Sequence, residues 1–334
     1  MILKIFKKIA LPIILIFAGL LIASLNGYFV YGIKVNSEGY LALFRLIEAF
    51  TLVFSIGFLQ NYYPNFYKKA AIAQLSTIFY LIGYAGISHM ADFGGSMGRF
   101  SLFENFPSNV GYYLLASLSL IYIWILDNLS SFNKRLGAYL VLGISLTGIM
   151  IWTQSRGAWI GLLAAIIVII YFWVYKQKQN IRKIILGIGV IGFCFAIGFF
   201  LLSKIERGQV LLRFSTSENS RIYLWRNYTR QLIKNPLGLG LSAPLLEYEN
   251  NKKGPHNTLL EFWLMGGFLA TMGFVIIYYR GIKNIFLKIR ISPDWQWQLY
   301  LIASLSALFV ASFFDNMNSF RLMWILIGLS IYHT

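Results

Sequence analysis

Apolar positions in this chain fall in long unbroken runs, not in the alternation of strands or the spacing of a one-sided surface helix. Runs near the roughly 20 residues that carry a helix across a bilayer predict ten spans. They cover about 9–27, 40–60, 70–88, 109–126, 137–153, 157–175, 184–203, 258–279, 298–314 and 319–332. Backbone groups in lipid must be bonded internally, so a spanning segment is a helix or part of a closed barrel. Continuous apolarity selects helices, and the expected fold is an all-α polytopic membrane protein of about ten transmembrane helices. The segments between spans are short with one exception, the loop 204–257. The expected organisation is a transmembrane bundle over 1–203, the loop over 204–257 and further transmembrane helices over 258–334, all in one integral membrane domain.

Inside the loop the pattern changes. "SRIYLWRNYTRQLIKNP" reads as an amphipathic helix of about four turns that stops before Pro236. On a helical wheel Trp225, Tyr228 and Leu232 fall within about 40° of Arg221. Arg226, Arg230 and Lys234 share the opposite side, where they suit water or lipid headgroups.

Composition supports the membrane reading. Hydrophobic residues make up 58% and charged residues 12% of the 334 positions, and the mean hydropathy is +0.65. A soluble domain carries about 25% charged residues. The net charge of +17 would suit a nucleic-acid partner, but its distribution along the chain follows the positive-inside rule. With a cytoplasmic N-terminus, Lys4, Lys7, Lys8, Lys68, Lys69, Lys134 and Arg135 all fall on the cytoplasmic side, as do the basic residues of 176–183 and 280–290. No nucleic-acid partner is expected; membrane lipids are. The first apolar run has basic flanks like a signal peptide but is longer than a usual signal core, so a retained anchor is expected. Cys194, the only cysteine, can form no internal disulfide.

The long loop breaks the charge rule. It lies on the outer side yet holds Lys204, Arg207, Arg213, Arg221, Arg226, Arg230, Lys234, Lys252 and Lys253 against Glu206, Glu218, Glu247 and Glu249. An excess of cations carried to that side points to an anionic ligand there. Arg221, in the middle of an apolar helix face, must pair or bind something, because an unpaired buried charge is costly. Arg156, in "TQSRGAW", sits where two spans are joined by only a few residues. Its guanidinium fork suits phosphate oxygens, and lipid phosphate competes as its partner.

"PHNTLLEFW" supplies a third unusual residue. "TLLE" fits a capping box with Thr258 as N-cap and Glu261 reaching back, which leaves His256 just outside the helix N-terminus. The positive end of a helix disfavours an imidazolium beside it, and a neutral imidazole is what a general base requires. Arg45 and Glu48 form an i, i+3 pair on the second span. Asp315 and Arg321 bracket the last outer turn and are expected to line the same cavity. No cluster of metal-ligand residues is apparent, and no metal or cofactor is expected. "PLGLG" at 236–240 follows no strand and carries no phosphate-loop reading.

"TQSRGAW", "SRIYLW", "NPLGLG" and "PHNTLLEFWLMGG", in this order, resemble the O-antigen ligase and O-antigen polymerase superfamily of bacterial envelope enzymes. The resemblance covers roughly 140–280. "GRFSLFENFPSN" and the 315–321 turn match more loosely, and the chain is short in its N-terminal half. The resemblance implies a membrane glycosyltransferase of the C type in the bacterial inner membrane, with its active site in the long periplasmic loop. Such enzymes take a glycan from undecaprenyl diphosphate, without a metal and with inversion, and a ligase passes it to a lipid A-core sugar. By motif position, Arg156 and Arg221 are the expected diphosphate ligands and His256 the residue that activates the acceptor hydroxyl. Arg99, Gln154, Asn257, Trp225, Asp315 and Arg321 are expected to bind substrate or position it. A polysaccharide polymerase and a protein O-oligosaccharyltransferase share these motifs. A lipid-linked sugar transporter is the non-enzyme alternative, although transporters tend to show internal repeats and midplane charges, and neither is apparent here.

Overall fold

The computed structural model describes residues 2–63, 111–117, 155–177, 218–243, 246–248, 251–291, 295–315, 317 and 320–332, with scattered single positions over 66–83. The spans expected over 137–153 and 184–203, most of those over 70–88 and 109–126, and the first part of the long loop lie outside the described residues.

Seven helices and one hairpin follow in chain order: α1 (Ile2–Tyr31), α2 (Ser37–Tyr62), α3 (Arg156–Gln177), α4 (Glu218–Lys234), β1 (Leu246–Tyr248), β2 (Asn251–Lys253), α5 (Thr258–Ile291), α6 (Trp295–Ala311) and α7 (Arg321–Tyr332). Residues 111–117 form a further helical stretch. Among the described residues, three helices are long and apolar enough to cross a membrane: Phe6–Tyr31, Ser37–Tyr62 and Thr258–Ile291. Shorter apolar helices cover Gly157–Phe172, Leu301–Ala311 and Arg321–Tyr332.

The helices pair across long stretches of sequence. α1 lies along α5, α3 along α6, and α2 along α7, with α5 also against α6 and α7. Lipid does not drive apolar helices together as water does, so close backbone approach at small residues carries much of the packing. A Cβ on Gly273 of α5 would stand 2.6 Å from the Pro12 carbonyl of α1, and one on Gly161 of α3 would stand 2.8 Å from the Ala307 carbonyl of α6. Aromatic rings fill the centre. Trp324 is fully buried, edge-on to Phe50 at 5.4 Å and to Phe274 at 6.1 Å, and Phe262 stacks on Phe274 at 4.6 Å. The faces turned away from this core carry Leu21, Phe29, Tyr40, Phe44, Leu163 and Ile167, all exposed, as lipid-facing surfaces would be.

Three expectations change, and one small element is added to the expected helical architecture: β1 and β2 form an antiparallel hairpin that sets Glu247 opposite Lys252. Its sequence is polar and lacks the alternation that would announce strands. α5 runs to Ile291 rather than 279. The apolar run ends at Arg280, but Ile285 and Ile289 remain buried while Lys283 and Arg290 face outward, so the helix continues in amphipathic form. Glu48 pairs not with Arg45 but with Arg321 of α7, at 2.8 Å (Nε to Oε1) and 3.3 Å (Nη2 to Oε2). Arg45 is exposed among the apolar residues of α2. The third change concerns the cap of α5.

Candidate functional site

The end of the bundle that holds the start of α5 gathers most of the unusual residues. Asn257, not Thr258, is the N-cap of α5: its Oδ1 accepts from the amides of Leu259 at 3.0 Å and Leu260 at 3.1 Å, and its carbonyl accepts from the Glu261 amide at 3.0 Å. An asparagine competes well for this role, which frees Thr258 for another. The Thr258 amide donates to the Ser312 carbonyl at 2.8 Å, and its hydroxyl donates to the Asp315 carbonyl and accepts from the Met317 amide, each at 2.8 Å. Thr258 therefore stitches the start of α5 to the turn after α6.

That stitch places Asp315 beside His256. The His256 Nδ1 lies 3.8 Å from Asp315 Oδ1, with the imidazole 44% exposed. At this separation the two groups are near neighbours without a direct hydrogen bond. His256 has φ +46, the only positive φ among described non-glycine residues. That conformation is sparsely populated for side chains other than Asn, Asp and His, and such residues cluster at functional sites. The other Asp315 oxygen accepts from the Tyr112 hydroxyl at 3.3 Å. Tyr112 also hydrogen-bonds Ser155 and feels the charge of Arg221.

α4 is fixed to the same point. The Trp225 indole donates to the Pro255 carbonyl at 2.9 Å, and its ring lies 5.9 Å from that of Phe314. Leu224, Tyr228 and Leu232 are buried, with Arg221 half-buried one turn before Trp225, while Arg226, Arg230 and Lys234 are exposed. The division follows the amphipathic pattern of the sequence. α3 also starts here: Ser155 precedes its first residue, Arg156, and a Cβ on Gly157 would press on the Tyr112 hydroxyl at 2.6 Å and on Phe314 at 3.2 Å.

The structure thus brings His256, Asn257, Trp225 and Asp315 into contact or near-contact. It sets Arg221 within electrostatic reach and starts the Arg156 helix alongside. Arg321 turns instead to Glu48, with its side chain 67% exposed. Arg99 and Gln154 lie outside the described residues, as does the Arg156 side chain. Tyr112, Ser155 and the stitching role of Thr258 carry no signal in the sequence beyond their types. An open groove of about 340 Å³ adjoins the cluster, lined by Trp225, Thr229, Asn257, Leu259, Leu260, Trp263, Thr271 and Phe313. The Trp263 indole N–H is buried without a hydrogen-bond partner among the described residues.

An apolar helical membrane protein with cationic and imidazole side chains gathered at one helix end is the class these features define. Residues 138–275 match the family model described as O-antigen ligase. Over that part the chain is similar to the O-antigen ligase superfamily, a likeness that suggests activity of the membrane glycosyltransferase kind on lipid-linked glycans. It spans α3, α4, the hairpin, the turn before α5 and the first half of α5, and so includes Arg156, Arg221, Trp225, His256 and Asn257. No curated protein matches the chain.

Proposed function

We propose that this protein transfers a glycan from undecaprenyl diphosphate to a sugar of lipid A-core, at the periplasmic face of the bacterial inner membrane. The observation that carries the reading is His256, held with φ +46 just before α5 and 3.8 Å from Asp315. An acceptor hydroxyl must lose its proton as it attacks an anomeric carbon, and a positioned imidazole can take it. Asp315 stabilises the imidazolium that results and, facing Nδ1, leaves Nε2 as the accepting nitrogen. A new carbon–oxygen bond forms from the acceptor, and the anomeric carbon–diphosphate bond breaks on the opposite face, so configuration inverts. The electron pair leaves on the diphosphate. Arg221 and Arg156 offset that growing negative charge, as pre-placed cations do most effectively where water is scarce. The excess of basic residues in 204–257 draws the anionic donor to the site.

The test is the surface glycan of the native host carrying His256→Ala, with membrane insertion of the variant checked by immunoblot. Full-length polymer held on the lipid carrier, over bare core, is the expected result. A core bearing one repeat unit would make the protein a polymerase. An unchanged glycan ladder would remove His256 from the chemistry.

A further inference from the structure

α5 is not one helix. Gly267 has φ 67 and ψ −166, a backbone conformation essentially confined to glycine. It divides α5 into a short outer piece, 258–266, and a long piece, 268–291. In an unbroken helix the Phe268 amide would donate to the Leu264 carbonyl. Here another part of the chain stands between those two groups and satisfies both. Phe268 donates to the Pro236 carbonyl at 3.0 Å, and the Leu239 amide donates to the Leu264 carbonyl at 2.8 Å. The strap 235–242, which contains "NPLGLG", is wedged into the break.

The fit tolerates no Cβ. One on Gly238, itself at φ +81, would sit 2.5 Å from the Gly267 nitrogen and 2.8 Å from the Trp263 carbonyl. One on Gly267 would press on the Leu237 carbonyl. The strap is held from its other side as well. Asn26 of α1 donates to the Gly238 carbonyl at 2.9 Å. Ser242 and Asn36 exchange two hydrogen bonds of 2.8 Å, the Asn36 amide donating to the Ser242 hydroxyl and that hydroxyl to Asn36 Oδ1. Tyr31 bonds the Asn235 side chain. The strap is the direct continuation of α4, and Leu224, Tyr228, Leu232, Leu239 and Leu264 form a small core of their own between α4, the strap and the outer piece.

The outer piece is therefore clamped at both ends, by the Thr258 stitch at the His256 end and by the strap at the break. We propose that the strap is a splint that joins α4 and the outer piece of α5 into one rigid body. Gly238 and Gly267 are then positioning residues that set His256 against Arg221. The role in transfer rests on the function proposed above; the mechanical role does not.

Gly238→Ala and Gly267→Ala test it, with Gly273→Ala as the comparison. That substitution crowds α5 against Pro12 and Ile16 of α1 at 2.6 and 2.7 Å but leaves the strap alone. Amide exchange of the segment 256–266 in detergent-solubilised protein is the first readout. The splint requires roughly tenfold faster exchange in both strap variants and none of that change in Gly273→Ala. The second readout is glycan transfer in the host per unit of inserted protein. A shift of about 1 Å at a reacting group can cost on the order of a hundredfold, so the strap variants lose at least roughly tenfold. Unchanged exchange overturns the splint. Faster exchange with full transfer overturns the positioning role. If His256→Ala still transfers glycan, the proposed chemistry fails while the exchange data still decide the splint.

Discussion

His256 and Asn257 are neighbours with opposite tasks. Asn257 is 7% exposed and spends its side chain on the two amides at the start of α5, whereas His256 leaves its imidazole half-exposed beside a carboxylate. Asn257→Asp keeps an acceptor at the cap and should preserve the thermal midpoint. Asn257→Ala removes the cap at a cost of about 1 kcal/mol, readable as a lower midpoint in detergent. Asp315 separates charge from scaffold in the same way. Its carbonyl holds Thr258 while its carboxylate faces His256 and Tyr112. Asp315→Asn leaves the backbone stitch and an acceptor for Tyr112 but removes the charge opposite the ring. It should lower glycan transfer by on the order of a hundredfold, within the range assigned to a general base, with little change in midpoint. Full transfer in that variant would reduce Asp315 to a structural residue.

At the scale of elements, ion pairs and steric contacts between helices differ in weight. The Glu48–Arg321 pair joins α2 to α7, but the arginine is largely exposed, and exposed pairs contribute about 0–1 kcal/mol. Glu48→Gln should barely move the midpoint. Gly57 of α2 faces the Tyr332 ring of α7, where a Cβ would stand 2.6 Å from Cδ2, and overpacking of this kind costs about 1–3 kcal/mol. Gly57→Ala should therefore lower the midpoint more than Glu48→Gln, and the reverse order would mean that charge, not backbone approach, joins these helices. How far such elements can be read from sequence depends on whether the signal is local. The buried face of α4 was legible because Leu224, Tyr228 and Leu232 recur at helical spacing. The start of α5 at Thr258 is legible too, but the sequence pattern places its cap one residue late. Both Asn257 and Thr258 suit an N-cap, and only the partners of Thr258 in the 312–317 turn decide between them. The break at Gly267 was not legible. "MGG" within an apolar run is compatible with a continuous helix, and what splits it is a strap some thirty positions earlier.

The whole molecule shows the same limit. Helical membrane architecture follows from apolar run length, which needs no partner to interpret, and so do the bounds of α1, α2, α3, α6 and α7 to within several residues. Which helix meets which does not. The nearness of His256 to Asp315, the tie from Trp225 to Pro255 and the capture of Arg321 by Glu48 all depend on partners that a sequence pattern cannot name. Trp324 tests the centre of the arrangement. It is fully buried between rings from α2 and α5, and Trp324→Ala should cost about 3–5 kcal/mol through the contacts and cavity it leaves. A thermal midpoint unchanged in that variant would mean that α7 is not part of the central core.

The pairing of α1 with α5 and of α2 with α7 also sets a timetable for biogenesis. Glu48 waits for a partner 273 positions later in the chain. During synthesis α1 and α2 therefore enter the bilayer long before the surfaces they are built to meet. Their small-residue faces and the Glu48 carboxylate stay without these partners until α5 and α7 leave the ribosome. A polypeptide interrupted before α7 lacks the arginine that meets Glu48, so the pair that joins α2 to α7, weak as a stabiliser, forms only once α7 has been made.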